Sequence, residues 1–168
     1  AARDSSAMRW ASAISAGKEP APVPGLYDEH DHIKASGPQR WTVYDIDFNT
    51  GKIRWTRELR AEFPPLLRHI KNSYASETPV TDGERVYSYF ANIGLYCHDL
   101  EGNKIWERRW PSYPMRGGWG TGTSPVLDGD NVRLQLDSSN GKSKILALHR
   151  KNGEVVWTTD RSTNIAWS

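Results

Sequence analysis

The chain has 168 residues, 22 of them basic and 20 acidic, for a net charge of +2. That length supports one domain with a sizeable core, no apolar run approaches the roughly 18 residues needed to cross a bilayer, and the near balance of charge speaks against nucleic acid as the main partner. The single cysteine, Cys97, allows neither an internal disulfide framework nor a cysteine-based zinc site.

Residues 1–40 carry little pattern. Ala1 to Pro20 is rich in Ala and Ser but lacks the apolar stretch of a signal peptide, and the chain starts on alanine, so a processed or truncated start is the expectation. Asp28-Glu29-His30-Asp31-His32 sets two imidazoles and three carboxylates within five residues. On a strand His30 and His32 would point the same way, a spacing that suits zinc or another transition metal. With no third ligand in view, a solvated polar loop is expected instead.

The first strong signal is a hairpin, Tyr44-Asp45-Ile46-Asp47-Phe48-Asn49-Thr50-Gly51-Lys52-Ile53-Arg54-Trp55. It recurs as Leu95-Tyr96-Cys97-His98-Asp99-Leu100-Glu101-Gly102-Asn103-Lys104-Ile105-Trp106. It recurs again as Leu146-Ala147-Leu148-His149-Arg150-Lys151-Asn152-Gly153-Glu154-Val155-Val156-Trp157. Gly51, Gly102 and Gly153 stand 51 residues apart, and so do Trp55, Trp106 and Trp157. Each glycine closes a tight turn between two strands, and each tryptophan sits four residues on. A second repeated element lies upstream: Thr78-Pro79-Val80-Thr81-Asp82-Gly83 matches Ser124-Pro125-Val126-Leu127-Asp128-Gly129. Each reads as a short strand running into an Asp-Gly turn.

A period of about 50 residues with four short strands is that of a propeller blade, which cannot bury both faces alone. The expected class is all-β: a β-propeller of four-stranded antiparallel blades, incomplete in this chain, with about three blades. Residues 1–40 stand apart as a poorly matched N-terminal segment, and 41–168 hold the repeats. Within these, 41–59 is the end of one blade, 75–110 and 121–160 are blades, and 164–168 starts the next. The remaining blades are expected mostly C-terminal in a longer chain, or in a partner chain.

Two long connections interrupt the repeat. Arg57 to Asn72 contains Arg57, Arg60, Arg68, His69 and Lys71, while Glu107 to Gly120 contains Arg108, Arg109, Trp110, Tyr113, Arg116 and Trp119. Corresponding loops of successive blades emerge on one face of a propeller. Arg68, His69, Arg108, Arg109, Trp110, Arg116 and Trp119 are therefore candidates for recognising an anionic glycan, a carboxylate or an acidic protein surface. Proline pairs make these loops stiff. No Gly-x-Ser-x-Gly elbow or phosphate loop is present, so no catalytic residue is assigned.

These motifs resemble the pyrroloquinoline-quinone-type propeller repeat. That repeat occurs in quinoprotein alcohol dehydrogenases and in the lipoprotein of the outer-membrane barrel-assembly machinery. The hairpin Tyr44 to Trp55 is close to its signature. Residues 74–168 are more specifically similar to a group of bacterial periplasmic or secreted proteins, through Tyr74-Ala75-Ser76-Glu77-Thr78-Pro79, Gly94-Leu95-Tyr96-Cys97-His98-Asp99 and Gly120-Thr121-Gly122-Thr123-Ser124-Pro125.

The resemblance implies that Trp55, Trp106 and Trp157 dock between neighbouring blades, with Gly51, Gly102 and Gly153 the structural glycines of the same hairpins. For the dehydrogenases it also implies quinone and calcium, yet no Cys-Cys pair or Asp/Glu/Asn cluster here matches that site, so no cofactor is expected. The functional expectation is a non-enzymatic, periplasmic or secreted cell-envelope scaffold that binds protein or glycan. The alternative is a quinone-dependent oxidoreductase or other enzyme acting at the propeller channel.

Overall fold

The computed structural model describes residues 9–16 and 32–163. Thirteen strands carry the described fold: β1 (Arg9–Ala16), β2 (His32–Ile33), β3 (Gln39–Asp47), β4 (Ile53–Glu62), β5 (Arg68–His69), β6 (Val80–Thr81), β7 (Arg85–Phe90), β8 (Gly94–Asp99), β9 (Lys104–Arg108), β10 (Val126–Asp128), β11 (Asn131–Leu136), β12 (Lys144–His149) and β13 (Val155–Asp160). They form antiparallel sheets in the orders β1-β3-β4, β6-β7-β8-β9 and β10-β11-β12-β13, with a small pair β2-β5. The chain is therefore all-β and forms three propeller blades. The first differs from the sequence expectation at its start. Its inner strand β1 comes from the segment 1–40 and pairs with β3 along its whole length, from Arg9↔Asp47 to Ala16↔Arg40.

The repeated turn has a repeated cause. Asp47 Oδ1 accepts the backbone N–H of Asn49 and Thr50 at 3.1 and 2.9 Å. Asp99 Oδ1 accepts those of Glu101 and Asn103 at 2.9 and 2.8 Å. Asp82 Oδ1 does the same for Glu84 and Arg85 at 3.0 and 2.7 Å. An aspartate that caps its own turn competes with the strand ladder and ends it. The strand after the glycine turn then carries one extra residue: Arg54, Ile105 or Val156 stands unpaired just before the tryptophan. Such a bulge bends the strand and re-aims the side chain that follows.

Trp55 and Trp106 consequently point at the next blade. Trp55 Nε1 donates to Leu100 O at 2.9 Å, and Trp106 Nε1 donates to Arg150 O at 3.0 Å. Each indole lies against the next blade's turn glycine. A Cβ on Gly102 would stand 2.7 Å from the Trp55 ring, and one on Gly153 2.6 Å from the Trp106 ring. Both glycines have left-handed φ, 81° and 69°, so backbone conformation and close approach both require glycine. Trp157 meets no such turn among the described residues and is 37% exposed, whereas Trp106 is 7% exposed.

The core sits in the two seams. Trp41 and Val43 of the first blade meet Phe90, Ile93 and Tyr96 of the second. On the second blade's other face, Tyr87, Tyr89, Leu95, Cys97 and Trp106 meet Val132, Leu134, Leu136, Leu146 and Leu148 of the third. Each such side chain contributes about 1.5–3 kcal/mol on full burial. Covered on both faces, β8 is buried from Gly94 to His98, while β13 is exposed along its whole length.

Candidate functional site

Antiparallel meanders sort their connections onto two faces. The Asp-capped turns lie on one, the turn face. The long connections 63–79 and 109–125, with the short turns 91–93 and 137–143, lie on the other, the loop face. Asn72 Nδ2 donates to Trp119 O at 2.8 Å and to Thr121 O at 3.3 Å, and the His69 N–H reaches Trp119 O at 3.2 Å. These bonds lock the two long loops side by side. β2 joins them, since His32 pairs with His69 and Ile33 with Arg68.

The candidate residues separate once placed. Arg68 is corrected: it is 4% exposed. Its Nη1 donates to the carbonyls of His69, Ile70 and Asn72, and its guanidinium lies over the Tyr74 ring. Arg108 is corrected too. It belongs to β9, and it donates to Gly153 O at 2.7 Å and Asn152 O at 3.1 Å, which clamps the turn beside Trp106. Arg57 is a strand residue with the same role, donating to Gly102 O at 2.6 Å and Glu101 O at 3.3 Å. The signal was legible as Trp-x-Arg in two copies, and Trp157-Thr158-Thr159 lacks it.

On the loop face itself, Arg109 is exposed and pairs with Glu62 at 3.3 Å. Trp110 packs half-buried against the second core cluster, beside Tyr113. Trp119 folds over Gly117, where a Cβ would stand 2.8 Å from its Nε1. His69 accepts the Lys71 N–H through Nδ1 at 3.0 Å. The Arg116 side chain and His30 lie outside the described residues, while His32 is exposed. Among the described residues no three His, Cys, Asp or Glu side chains gather to hold a metal ion.

Sequence reasoning missed three features. Phe63 and Leu67, in the stiff run Phe63-Pro64-Pro65-Leu66-Leu67, are 62% and 41% exposed on the loop face. Glu77 is buried under that face; its Oε1 accepts the Thr121 hydroxyl at 2.6 Å and the Ala91 N–H at 3.2 Å. Burial raises its pKa, against those hydrogen bonds, which lower it. His98 lies buried in the first seam beside Trp55, their rings 6.2 Å apart. Burial, with Arg57 and Lys104 nearby, pushes its pKa down to about 4 against the opposing pull of Asp99 and Glu107. Burial likewise lifts the Cys97 thiol to about 12, so it is not a reactive thiolate. Isolated glutamates, histidines and apolar loop residues carry no periodic signal.

The geometry agrees with a comparison across known families. The model for outer membrane protein assembly factor BamB matches residues 5–165, which takes in most of the segment the repeat pattern did not reach. The chain belongs to this family. Among solved structures, a europium-containing methanol dehydrogenase superposes with a TM-score of 0.51 at 13% identity, over 81% of this chain and 25% of that one. BamB from Moraxella catarrhalis gives a TM-score of 0.49 at 20% identity, over 74% of this chain and 34% of that one. The chain thus spans about a third or less of these structures, and the first likeness speaks for the fold alone. The comparison with curated proteins returned no match.

Two groups of this chain bear on the quinone and calcium of the dehydrogenases. The one cysteine is a buried neutral thiol in a seam. The buried carboxyl Glu77 is bonded to Thr121 and Ala91 rather than grouped with other acids.

Proposed function

We propose that these blades belong to a non-enzymatic propeller scaffold of the bacterial cell envelope, and that its loop face binds a protein partner. The observation that carries the reading is the preformed loop face. Two long, proline-stiffened loops from successive blades are bonded to each other through Asn72 and Trp119. A surface held in this way loses little entropy on binding. The turn face offers instead short capped turns whose side chains serve the seams. The family's description, an assembly factor of outer membrane proteins, supports both an envelope location and work through partners. No helix among the described residues is long and apolar enough to cross a membrane.

Site-specific photocross-linking in cells tests this, with the probe at Phe63 on the loop face or at Glu84 on the turn face. A discrete protein adduct from Phe63 and none from Glu84 is expected. Adducts from Glu84 alone, or from neither position, would refute the reading.

A further inference from the structure

The middle blade departs from its neighbours at one place in the strand ladder. Next to the residue that pairs with the tryptophan stands Ile46 in the first blade and Leu148 in the third, facing Ile53 and Val155. In the second blade that residue is His98, and it faces Lys104. On the other side of the tryptophan, Glu107 takes the place of Thr56 and Thr158. An apolar pair has thus become a polar one where His98 is only 2% exposed. Nothing in the seam satisfies the exchange. His98 Nδ1 is buried with no hydrogen-bond partner, which destabilises the fold relative to the leucine of the third blade.

His98, Lys104 and Glu107 all line one cleft of about 350 Å³, between β4 of the first blade and β8 and β9 of the second. That volume lies in the range of small-molecule sites, about 300–1,000 Å³. The charges of the cleft are already matched. Glu107 meets Arg60 at 3.0 Å and Lys104 at 2.7 Å, and Glu58 meets Arg40 at 3.4 Å. Arg57 donates to Gly102 O and Glu101 O. An added anion would face Glu58 and Glu107. A metal cation would face Arg57 and Lys104, the groups that help burial to keep His98 neutral. What is left unmatched is uncharged: a neutral imidazole, which offers one N–H donor and one acceptor nitrogen. A hydroxyl group complements either, because it both donates and accepts.

We infer that this cleft binds a neutral sugar of about monosaccharide size, with one of its hydroxyl groups hydrogen-bonded to the His98 ring. The cleft walls suit a polyol, since Tyr96, Asn103, Lys104 and Glu107 all carry hydrogen-bonding groups and Leu59 is the one aliphatic side chain among the lining residues. The site lies at the rim of the first seam, apart from the loop face, so it stands or falls independently of the protein-binding reading.

NMR of the full chain with 15N-labelled histidine reads the site, because the ring nitrogens report hydrogen bonding. Titration with glucose, galactose and mannose in turn, up to about 100 mM, is expected to give a saturable shift of the His98 signals for at least one of them. His149, whose Nδ1 already accepts the Lys151 N–H, should not respond. A response to the free sugar but not to its methyl glycoside assigns a free ligand, and a response to both assigns the end of a glycan; either supports the inference. His98→Leu installs the residue that the third blade carries, so its melting temperature should match or exceed the parent's, while saturation transfer to the sugar should fall at least about tenfold. No saturable shift at His98 from any of these sugars would overturn the inference. So would equal saturation transfer in parent and variant, or a stronger His98 response to zinc chloride or sodium acetate than to every sugar.

Discussion

The two faces of these blades are made by different rules. On the turn face, a left-handed glycine, a bulged residue and a tryptophan recur at one spacing, and an aspartate precedes the glycine in the first two hairpins. The aspartate caps the turn, the glycine admits the indole, the bulge aims it, and the tryptophan closes the seam. On the loop face little recurs beyond Thr78-Pro79 and Ser124-Pro125 at the ends of the long connections. The connection after the first blade presents Phe-Pro-Pro-Leu-Leu, and the one after the second presents Trp110, Tyr113 and a glycine-rich stretch. Regularity therefore marks what holds the blades together, and irregularity marks where they are free to specialise.

The largest effect that sharpens this contrast lies in the seams. Replacing Trp106 with Ala removes a buried indole and its bond to Arg150 O, and should destabilise by about 3–5 kcal/mol. Denaturant titration measures it. Trp157→Ala, at a position 37% exposed among the described residues, should cost less than half as much. Equal losses would break the account of the seam.

Next in size is a pH effect at His98. Its folded pKa of about 4 lies below the usual 6.5, so the folded chain favours the neutral ring. That stability is fully present above about pH 6.5 and is lost as pH falls toward 4, by up to about 3 kcal/mol. Comparing parent with His98→Gln by thermal melting across this window isolates the contribution. Glu77, raised by burial, runs the other way. It favours folding while protonated, and its contribution falls as pH rises above its ordinary value of 4.5. The His98→Gln difference removes only the acid-side loss.

Smaller still is the difference between two glycines of like backbone. Gly51 and Gly153 have φ of 67° and 69°, so alanine at either position costs roughly 1–2 kcal/mol of left-handed strain. Nothing lies within 4 Å of a Cβ on Gly51, whereas one on Gly153 would press into the Trp106 ring. Gly153→Ala should therefore cost clearly more, and melting curves of the two variants show whether it does.

The same contrast explains what was legible in the sequence. The blades were readable because Gly and Trp keep their step, and so was the convergence of the two long loops on one face. β1 was not, because it pairs with β3 through backbone bonds and shares no motif with the later inner strands Val80–Thr81 and Val126–Asp128. Composition suggested Arg68 and Arg108 as binding residues. A guanidinium that donates to backbone carbonyls looks the same in sequence as one that waits for a ligand. Phe63 and Leu67 were overlooked for the opposite reason, since apolar residues are read as core unless their exposure is known.

The central claim is that stability resides in the seams and recognition on the loop face. One double variant, Phe63→Ser/Leu67→Ser, tests it most directly when its unfolding free energy and its partner cross-linking from a probe at Lys71 are measured together. The account predicts stability within about 0.5 kcal/mol of the parent, as for surface positions generally, and loss of the cross-link. Parent-level cross-linking at parent-level stability would contradict it.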